Sequence, residues 1–166
     1  MSVGPADLVV GRWGARFCGR SFPCAIGWGG VRADKREGDG ATPAGRFALR
    51  AVYARSAAGR DVVGRSIGPR LHWSDDPTDP GYNMPFVGPG AGYRHERLYR
   101  PDLLYDIVAA LDYNWPSPTA FAGSAIFLHI WRAPRYPTQG CVAFARRDLV
   151  WILSRWRSQC RVEIRT

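Results

Sequence analysis

The stretch AIFLHIWRAPRYPTQGCVAF, residues 125–144, contains two predicted core strands and the candidate chemistry of this 166-residue chain. The apolar run Ala125 to Leu128 predicts a buried strand that ends at His129, and Val142 to Phe144 predicts a second short strand directly after Cys141. The intervening segment is rich in proline and aromatic residues, so we expect it to fold back and bring the histidine beside the cysteine. A neighbouring imidazole can take the proton of a thiol and stabilise the thiolate, which makes the pair a candidate base and nucleophile. The alternative interpretation is a core cysteine and a hydrogen-bonded structural histidine.

Around this stretch the sequence predicts many short strands and loops. Gly and Pro are frequent and scattered, at 19 and 13 residues. Apolar patterning predicts strands at residues 8–10, 16–18, 22–27, 46–54, 71–73, 124–131 and 160–165. Residues 27–45 and 74–92 are predicted loops, and residues 103–114 fit either a helix or a strand.

One segment, Arg147 to Arg157, has clear helical spacing. Its apolar residues fall on one face: Leu149, Val150, Leu153 and Trp156. The length fits a single domain over residues 1–166 with an adequate core, and no internal repeat is present. We therefore expect a mostly β, β-rich α+β fold with one or two helices.

The chain is basic, with 23 Lys and Arg against 14 Asp and Glu and a formal charge of +9. A basic surface attracts acidic ligands, such as peptides that carry free carboxylates. The basic residues form no long run and no helical stripe with stacking aromatics, so nucleic acid is not the expected partner. The sequence has no apolar run that predicts a membrane span, and residues 1–7 lack the pattern of a secretory signal.

The cysteines and histidines do not form a metal-binding or disulfide pattern. The cysteines are Cys18, Cys24, Cys141 and Cys160. A tight turn at Gly19-Arg20 would set Cys18 opposite Ser21, so we expect Cys18 and Cys24 to be unpaired. Besides Cys141, the cysteines are expected to be small buried side chains. No Cys-x-x-Cys pair occurs and the three histidines are far apart, so neither a metal nor another cofactor is predicted.

Two blocks of the sequence resemble the L,D-transpeptidase (YkuD-type) catalytic domain family, in the family's order. Thr138-Gln139-Gly140-Cys141, with His129 upstream, resembles the family's His followed by a variable loop and Ser/Thr-His-Gly-Cys. KREGDGATPAGRF, residues 35–47, resembles the early Lys-x-Gly-x-x-Thr-Pro-x-Gly-x-Phe segment. The chain is most similar to the compact, single-domain proteobacterial branch. The resemblance implies a sandwich or barrel of mixed sheets, with a helical turn at residues 101–104 before a strand.

The resemblance also implies roles for particular residues. Cys141 would be the nucleophile, His129 the base, and the N–H groups of Gly140 and Cys141 would stabilise the oxyanion. Gln139 stands where the family usually has a second His, and Ala143 where an Arg or Asn often follows the Cys. The substrate carboxylate would then be bound by another arginine, for which the candidates are Arg132, Arg135, Arg146 and Arg147. The remaining candidates for substrate binding are polar side chains beside loops or apolar segments: Thr138, Gln139, Asn83, His95, Glu96 and Tyr105. The alternative for Asn83, His95, Glu96 and Tyr105 is surface hydrogen bonding or turn capping.

The leading hypothesis is therefore a peptidoglycan L,D-transpeptidase that works through a cysteine thioester. The resemblance implies donor and acceptor stem peptides as partners, acylation by carbapenems, and action as a monomer in the periplasm or cell wall. The Pro-rich segment before Cys141 and the lone catalytic domain resemble compact relatives that are associated with one-to-three crosslinks between L-Ala and diaminopimelate, and three-to-three crosslinks are the alternative. Other hypotheses are a hydrolytic L,D-carboxypeptidase or amidase, and a non-enzymatic basic wall-binding module.

Overall fold

The computed structural model describes residue 4, residues 6–55 and residues 62–166, which form short strands and one helix. Part of the N-terminal segment that lacks a secretory-signal pattern lies outside the described residues. The elements are β1 (Leu8–Gly11), β2 (Gly14–Phe17), β3 (Arg20–Phe22), β4 (Cys24–Ala25), β5 (Val31–Arg32), β6 (Thr42–Pro43), β7 (Gly45–Phe47), β8 (Leu49–Ala54), β9 (Arg65–Ser66), β10 (Leu71–Ser74), β11 (Pro85–Val87), β12 (His95–Arg97), β13 (Ile107–Leu111), β14 (Phe127–Ile130), β15 (Val142–Phe144), α1 (Arg146–Ser154) and β16 (Val162–Ile164).

Most of the strands belong to two mixed sheets. The five-stranded sheet has the order β3-β2-β1-β16-β7, in which β1 and β16 are parallel. The six-stranded sheet has the order β4-β15-β14-β13-β8-β9, with β14-β15 and β8-β9 as its parallel pairs. Two smaller sheets have the orders β11-β10-β12 and β5-β6. The predicted β-rich α+β class is confirmed, and over the described residues the sheets stay open instead of closing into a barrel.

The six-stranded sheet is apolar on both faces at its centre. All five residues of β13, with the sequence IVAAL, are buried. Along β14, Leu128 belongs to an apolar cluster shared with β1, β16 and α1, whereas Phe127 belongs to a second cluster with Trp73 and Tyr105. Alternate side chains of a strand point to opposite faces, so His129 lies on the same face of β14 as Phe127.

The helix α1 covers the first of these clusters. It begins one residue earlier and ends three residues earlier than the helix predicted over residues 147–157. Leu149 and Ile152 are fully buried, and the other three residues of the predicted apolar face are partly buried. No helix in the described part of the chain has the length and apolar character needed to cross a membrane.

Two predicted strands are interrupted, and each interruption moves the chain from one large sheet to the other. The segment 22–27 is divided between β3 and β4, which belong to different sheets. Pro23 lies between them and has no N–H to donate to a strand ladder. The segment 46–54 is divided into β7 and β8 at Ala48, whose N–H donates to the carboxylate of Asp112 at 2.8 Å. Each of these two predicted strands therefore contributes residues to both large sheets.

Other predicted segments also differ in detail from the structure. The predicted loops contain short strands, since β5 and β6 lie within residues 27–45 and β11 lies within residues 74–92. Residues 101–104 form turns without a helix, and the strand that follows them is β13. The strand predicted over residues 124–131 is confirmed as β14 but is shorter at both ends.

The hairpin of β2 and β3 turns one residue earlier than predicted. Phe17 pairs with Arg20, so Cys18 and Gly19 occupy the turn. Cys18 has a φ of 47° and is exposed, and the prediction of a buried side chain is therefore wrong for this cysteine. All four cysteines are free, as predicted for Cys18 and Cys24.

Candidate active site

Cys141 and His129 lie on one face of the parallel strand pair β14 and β15. Leu128 pairs with Val142, and Cys141 directly precedes Val142. Cys141 therefore lies beside Phe127, whose backbone N–H donates to the Cys141 Sγ at 3.3 Å. Phe127 and His129 are two positions apart on β14 and share a face. The register of this strand pair brings the predicted cysteine and histidine to the same side of the sheet.

Two backbone groups hold the buried thiol of Cys141. Its S–H donates to the carbonyl of Ala125 at 3.2 Å, and Sγ accepts the N–H of Phe127. Burial raises the pKa of the Cys141 thiol to about 12, and the negative charge of Glu96 acts in the same direction. The thiol is therefore protonated at neutral pH.

His129 is buried to the same degree, at 6% exposure against 7% for Cys141, so both groups are removed from water. Burial lowers the pKa of the His129 imidazole to about 4, and the ring is neutral at neutral pH. Its Nδ1 lies 2.8 Å from the carbonyl oxygen of Ile130, which can only accept, so we assign the proton to Nδ1 and leave Nε2 as the basic nitrogen. The ring of Tyr105 packs edge-on against it, with 5.1 Å between centroids. Sequence reasoning identified no orienting group for this histidine, because a backbone carbonyl has no sequence signature.

The hydroxyl of Thr138 fixes the turn that leads into Cys141. It accepts the N–H of Gly140 at 3.1 Å and donates to the carbonyl of Cys141 at 2.6 Å. The Gly140 N–H, one of the two backbone donors expected for the oxyanion, therefore already forms a hydrogen bond within the turn. Thr138 was also a candidate for substrate binding, and in this structure its hydroxyl bonds to the turn itself.

Gly27 and Trp28 connect the early sequence block to this turn. The N–H of Gly27 donates to the Thr42 hydroxyl at 2.8 Å, and the N–H of Trp28 donates to the Thr138 carbonyl at 3.0 Å. The indole N–H of Trp28 donates to the side-chain oxygen of Gln139, also at 3.0 Å. The two blocks that carry the family resemblance thus form one structural unit, and the Gln139 side chain is positioned from outside its own loop.

Gly140→Ala is expected to destabilise this unit. A Cβ at Gly140 would lie 2.8 Å from the backbone oxygen of Ala41, and the residue has a φ of 138°. We expect a loss of about 2 kcal/mol or more in the free energy of unfolding, measured by urea denaturation. Gly30→Ala is the matched control, because Gly30 also has a positive φ, at 74°, but has open space around its Cβ position. Equal losses in the two variants would show that the contact with Ala41 is unimportant.

The thiol and the imidazole open into one cavity of about 410 Å³, called here the site cavity. It is lined by seven of the ten predicted site residues: Cys141, His129, Thr138, Gln139, Glu96, Tyr105 and Arg132. It is also lined by ionisable residues that sequence reasoning missed: Lys35, Glu37, Asp75, Arg94 and Arg100. Lys35 and Glu37 belong to the early sequence block, but their contact with the cavity depends on long-range packing that the sequence does not reveal.

Most charged groups of the site cavity already have partners. Three of its cations form ion pairs: Lys35 with Asp39, Arg94 with Asp75, and Arg100 with Asp102. Arg132 forms no ion pair within the described residues, and its guanidinium lies 5.2 Å from the centre of the Tyr136 ring. Across the described chain, no three His, Cys, Asp or Glu side chains lie close enough together to hold a metal ion.

Asn83, a candidate for substrate binding, does not line the site cavity. Its side-chain oxygen accepts the indole N–H of Trp73 and the backbone N–H of Ala125. Its amide nitrogen donates to the carbonyls of Tyr113 and Asn114. Asn83 therefore ties three separate segments together and fixes the residue whose carbonyl holds the Cys141 thiol.

His95, another candidate for substrate binding, also lies away from the site cavity. Its Nδ1 is 2.9 Å from the carbonyl oxygen of Tyr93, and its ring packs edge-on against those of His72 and Phe86. Because successive residues of β12 point to opposite faces, Glu96 faces the cavity and His95 does not.

The family profile of YkuD, the L,D-transpeptidase catalytic domain, matches residues 18–164 of the 166-residue chain. The chain therefore belongs to the L,D-transpeptidase catalytic domain family, whose members act in peptidoglycan crosslinking. No curated protein and no solved structure matches the chain.

Proposed function

We propose that this protein is a peptidoglycan L,D-transpeptidase in which Cys141 is the nucleophile and His129 the base. The observation that supports this most strongly is the presence of both side chains in one cavity, on one face of β14 and β15. Membership of the family makes stem peptides the substrate class and the cell wall the place of action. The enzyme acts as a monomer, and a carbapenem acylates its thiol.

Acylation starts from a neutral pair. With a thiol pKa of about 12 and an imidazole pKa of about 4, Cys141 and His129 do not exchange a proton before substrate binds. The proton passes from Sγ to Nε2 as the sulfur attacks the carbonyl of an L-centre in the donor stem. The imidazolium then gives this proton to the leaving amine, the C–N bond breaks, and the donor remains as a thioester.

The oxyanion of the tetrahedral intermediate needs N–H donors close to Sγ. The backbone N–H groups of Gly140 and Cys141 are the candidates. The Gly140 N–H would exchange the Thr138 hydroxyl, 3.1 Å away, for the oxyanion, so the complete oxyanion hole would form only when substrate is bound.

The proline segment, residues 132–137, contacts the donor stem. Arg132, Tyr136 and Pro137 all line the site cavity. Arg132 is the cation that binds a stem carboxylate, since the other cations of the cavity form ion pairs with Asp side chains. Pro134 and Pro137 restrict the conformations of the segment, and the rigid wall favours the donors of one-to-three crosslinks.

The test is to incubate the purified protein with disaccharide-tetrapeptide and disaccharide-pentapeptide and to determine the products by mass spectrometry. We expect crosslinked dimers that have lost the donor residues downstream of the attacked carbonyl. Fragmentation then shows whether the new bond starts at the first or the third stem residue. Shortened stems without dimers would instead identify a hydrolase, and unchanged stems without an acyl-enzyme would identify a wall-binding module.

A further inference from the structure

One carboxylate of the site cavity, that of Glu96, forms no ion pair within the described residues. Its Oε2 accepts the O–H of Tyr105 at 3.0 Å, and this is its one hydrogen bond in the described part of the chain. Asp75, in the same cavity, is paired with Arg94 at 3.2 Å. The cavity therefore contains an acid whose second oxygen is available to a ligand.

Glu37, the other unpaired acid of the cavity, is in a different situation. Its carboxylate accepts the hydroxyls of Tyr82 and Ser124 on one oxygen and the N–H of Gly38 on the other. These bonds connect three segments of the chain, which makes Glu37 a structural residue. Of the cavity's unpaired acids, Glu96 is thus the one with free hydrogen-bonding capacity.

Glu96 lines the same cavity as the Cys141 thiol and the His129 imidazole. Its charge raises the pKa of the Cys141 thiol. Tyr105, which donates to Glu96, packs its ring against that of His129 at 5.1 Å. A negative charge here makes the thiolate harder to form, so the carboxylate hinders acylation. Its presence is explained if a later step uses it.

We infer that Glu96 is the acceptor-amine site: it binds the protonated amine of the acceptor stem and takes its first proton. This inference rests on the proposed function, in which an amine attacks the thioester of Cys141. The substrate carboxylates need cations, and a buried acid would repel them. An ammonium group is the part of a stem peptide that complements Glu96.

In the transfer step, each proton that leaves the acceptor amine has a defined acceptor. The ammonium gives one proton to the Glu96 carboxylate, and the resulting neutral amine attacks the thioester carbonyl. The second proton passes from the attacking nitrogen to Nε2 of His129. The C–S bond then breaks as the amide forms, the leaving thiolate of Cys141 takes the proton from His129, and Glu96 releases its own proton to solvent.

The surroundings of Glu96 allow it to cycle between its two forms near neutral pH. Burial raises the pKa of the Glu96 carboxyl to about 7, and the O–H of Tyr105 opposes this. Asp75 and Glu37 also raise this pKa, whereas Arg100 lowers it. His95 and Arg97 flank Glu96 on β12, and Cys141 lines the same cavity. An arriving ammonium would favour the ionised carboxylate, and loss of the amine would favour the acid.

The test compares two acceptors on the thioester formed with disaccharide-tetrapeptide, in the wild type and in Glu96→Gln. Diaminopimelate is the charged acceptor, and hydroxylamine, which is uncharged at neutral pH, is the matched acceptor that does not need Glu96. We expect Glu96→Gln to lower kcat/KM for diaminopimelate by about 100-fold and to leave hydroxylamine unchanged. Gln keeps the size of the side chain and an acceptor for Tyr105, and turnover of hydroxylamine shows that the variant is folded. Asp75→Asn, which removes a charge already paired with Arg94, should preserve the ratio of the two acceptors.

The pH dependence provides a second readout. The rate with diaminopimelate should fall as the pH drops below about 7 in the wild type, because protonated Glu96 cannot accept a proton. In Glu96→Gln the break near pH 7 should be absent, because the rate then depends on the neutral amine, whose fraction keeps increasing with pH. Equal losses with both acceptors, or no loss with either, would overturn the role of Glu96 while the thioester still forms. Absence of a thioester in the wild type would overturn the proposed function and the role of Glu96 with it.

Discussion

Cys141→Ala is expected to abolish crosslinking, with a loss on the order of 10⁴-fold or more in rate. Within the described residues, Cys141 is the one cysteine that lines the site cavity, so no neighbouring thiol can replace it. Mass spectrometry should detect neither the thioester with disaccharide-tetrapeptide nor the adduct with a carbapenem. The wild type should gain one carbapenem per chain, on the peptide that contains Cys141.

Cys160→Ala is the matched control for this variant. Cys160 is buried, at 1% exposure, but belongs to the apolar cluster on the other face of the six-stranded sheet. We expect it to lower stability by about 1–2 kcal/mol and to leave turnover per folded molecule unchanged. Crosslinking by folded Cys141→Ala, or its loss in folded Cys160→Ala, would contradict the assigned nucleophile.

Alkylation experiments need a variant without Cys18, because this cysteine is exposed in the hairpin turn. Burial raises the pKa of the Cys141 thiol to about 12 and that of Cys24 to about 11, so both should react slowly at neutral pH. An alkylator would therefore modify Cys18 first and would not report on the site. Cys18→Asn removes this reaction and suits the positive φ of 47° at this position.

The sequence was sufficient to predict the parts of the fold and site that depend on local pattern. The apolar run before His129 and the short run after Cys141 predicted β14, which contains His129, and β15, which Cys141 directly precedes. The parallel register of these strands, which puts both side chains on one face, could not be derived from either run alone. The resemblance to the family supplied the expectation that they would meet.

Predictions failed where one residue of register or one long-range contact decided the outcome. Moving the hairpin turn by a single residue takes Cys18 out of the strand and places it in the turn, where it is exposed. Alternation of side chains along β12 separates His95 from Glu96, although both residues were predicted to bind substrate. The side chain of Asn83 hydrogen-bonds to backbone groups that are distant in sequence. Neither its residue type nor its position in a loop predicted these contacts.

The acid–base behaviour of the site could not be predicted from residue types. A thiol next to an imidazole suggested an activated thiolate. Burial of both groups instead raises the pKa of Cys141 to about 12 and lowers that of His129 to about 4. The proton of Cys141 must therefore pass to His129 during the attack on the substrate. Removal of His129 should then lower the acylation rate.

His129→Gln is expected to lower the acylation rate by about 10²–10⁴-fold, the range for a positioned proton acceptor. In the wild type, the carbapenem acylation rate should stay flat from neutral pH down to about pH 5 and fall near pH 4, where the imidazole becomes protonated. The variant should lack this acid limb. Intact-mass time courses at each pH measure both rates.

Thermal unfolding over the same pH range separates catalysis from stability. The pKa of His129 is lowered from 6.5 to about 4 on folding, so the unfolded chain binds more protons in this window and the contribution of His129 to stability falls as the pH drops. Glu96, with its pKa raised from 4.5 to about 7, has the opposite effect, because the folded state then binds more protons. The two effects oppose each other between about pH 4.5 and 6.5, so the Tm of His129→Gln should rise relative to that of the wild type as the pH falls.

A His129→Gln variant with the wild-type acylation rate and an unchanged acid limb would show that another group takes the proton of Cys141, and Glu96 through Tyr105 would be the first to examine.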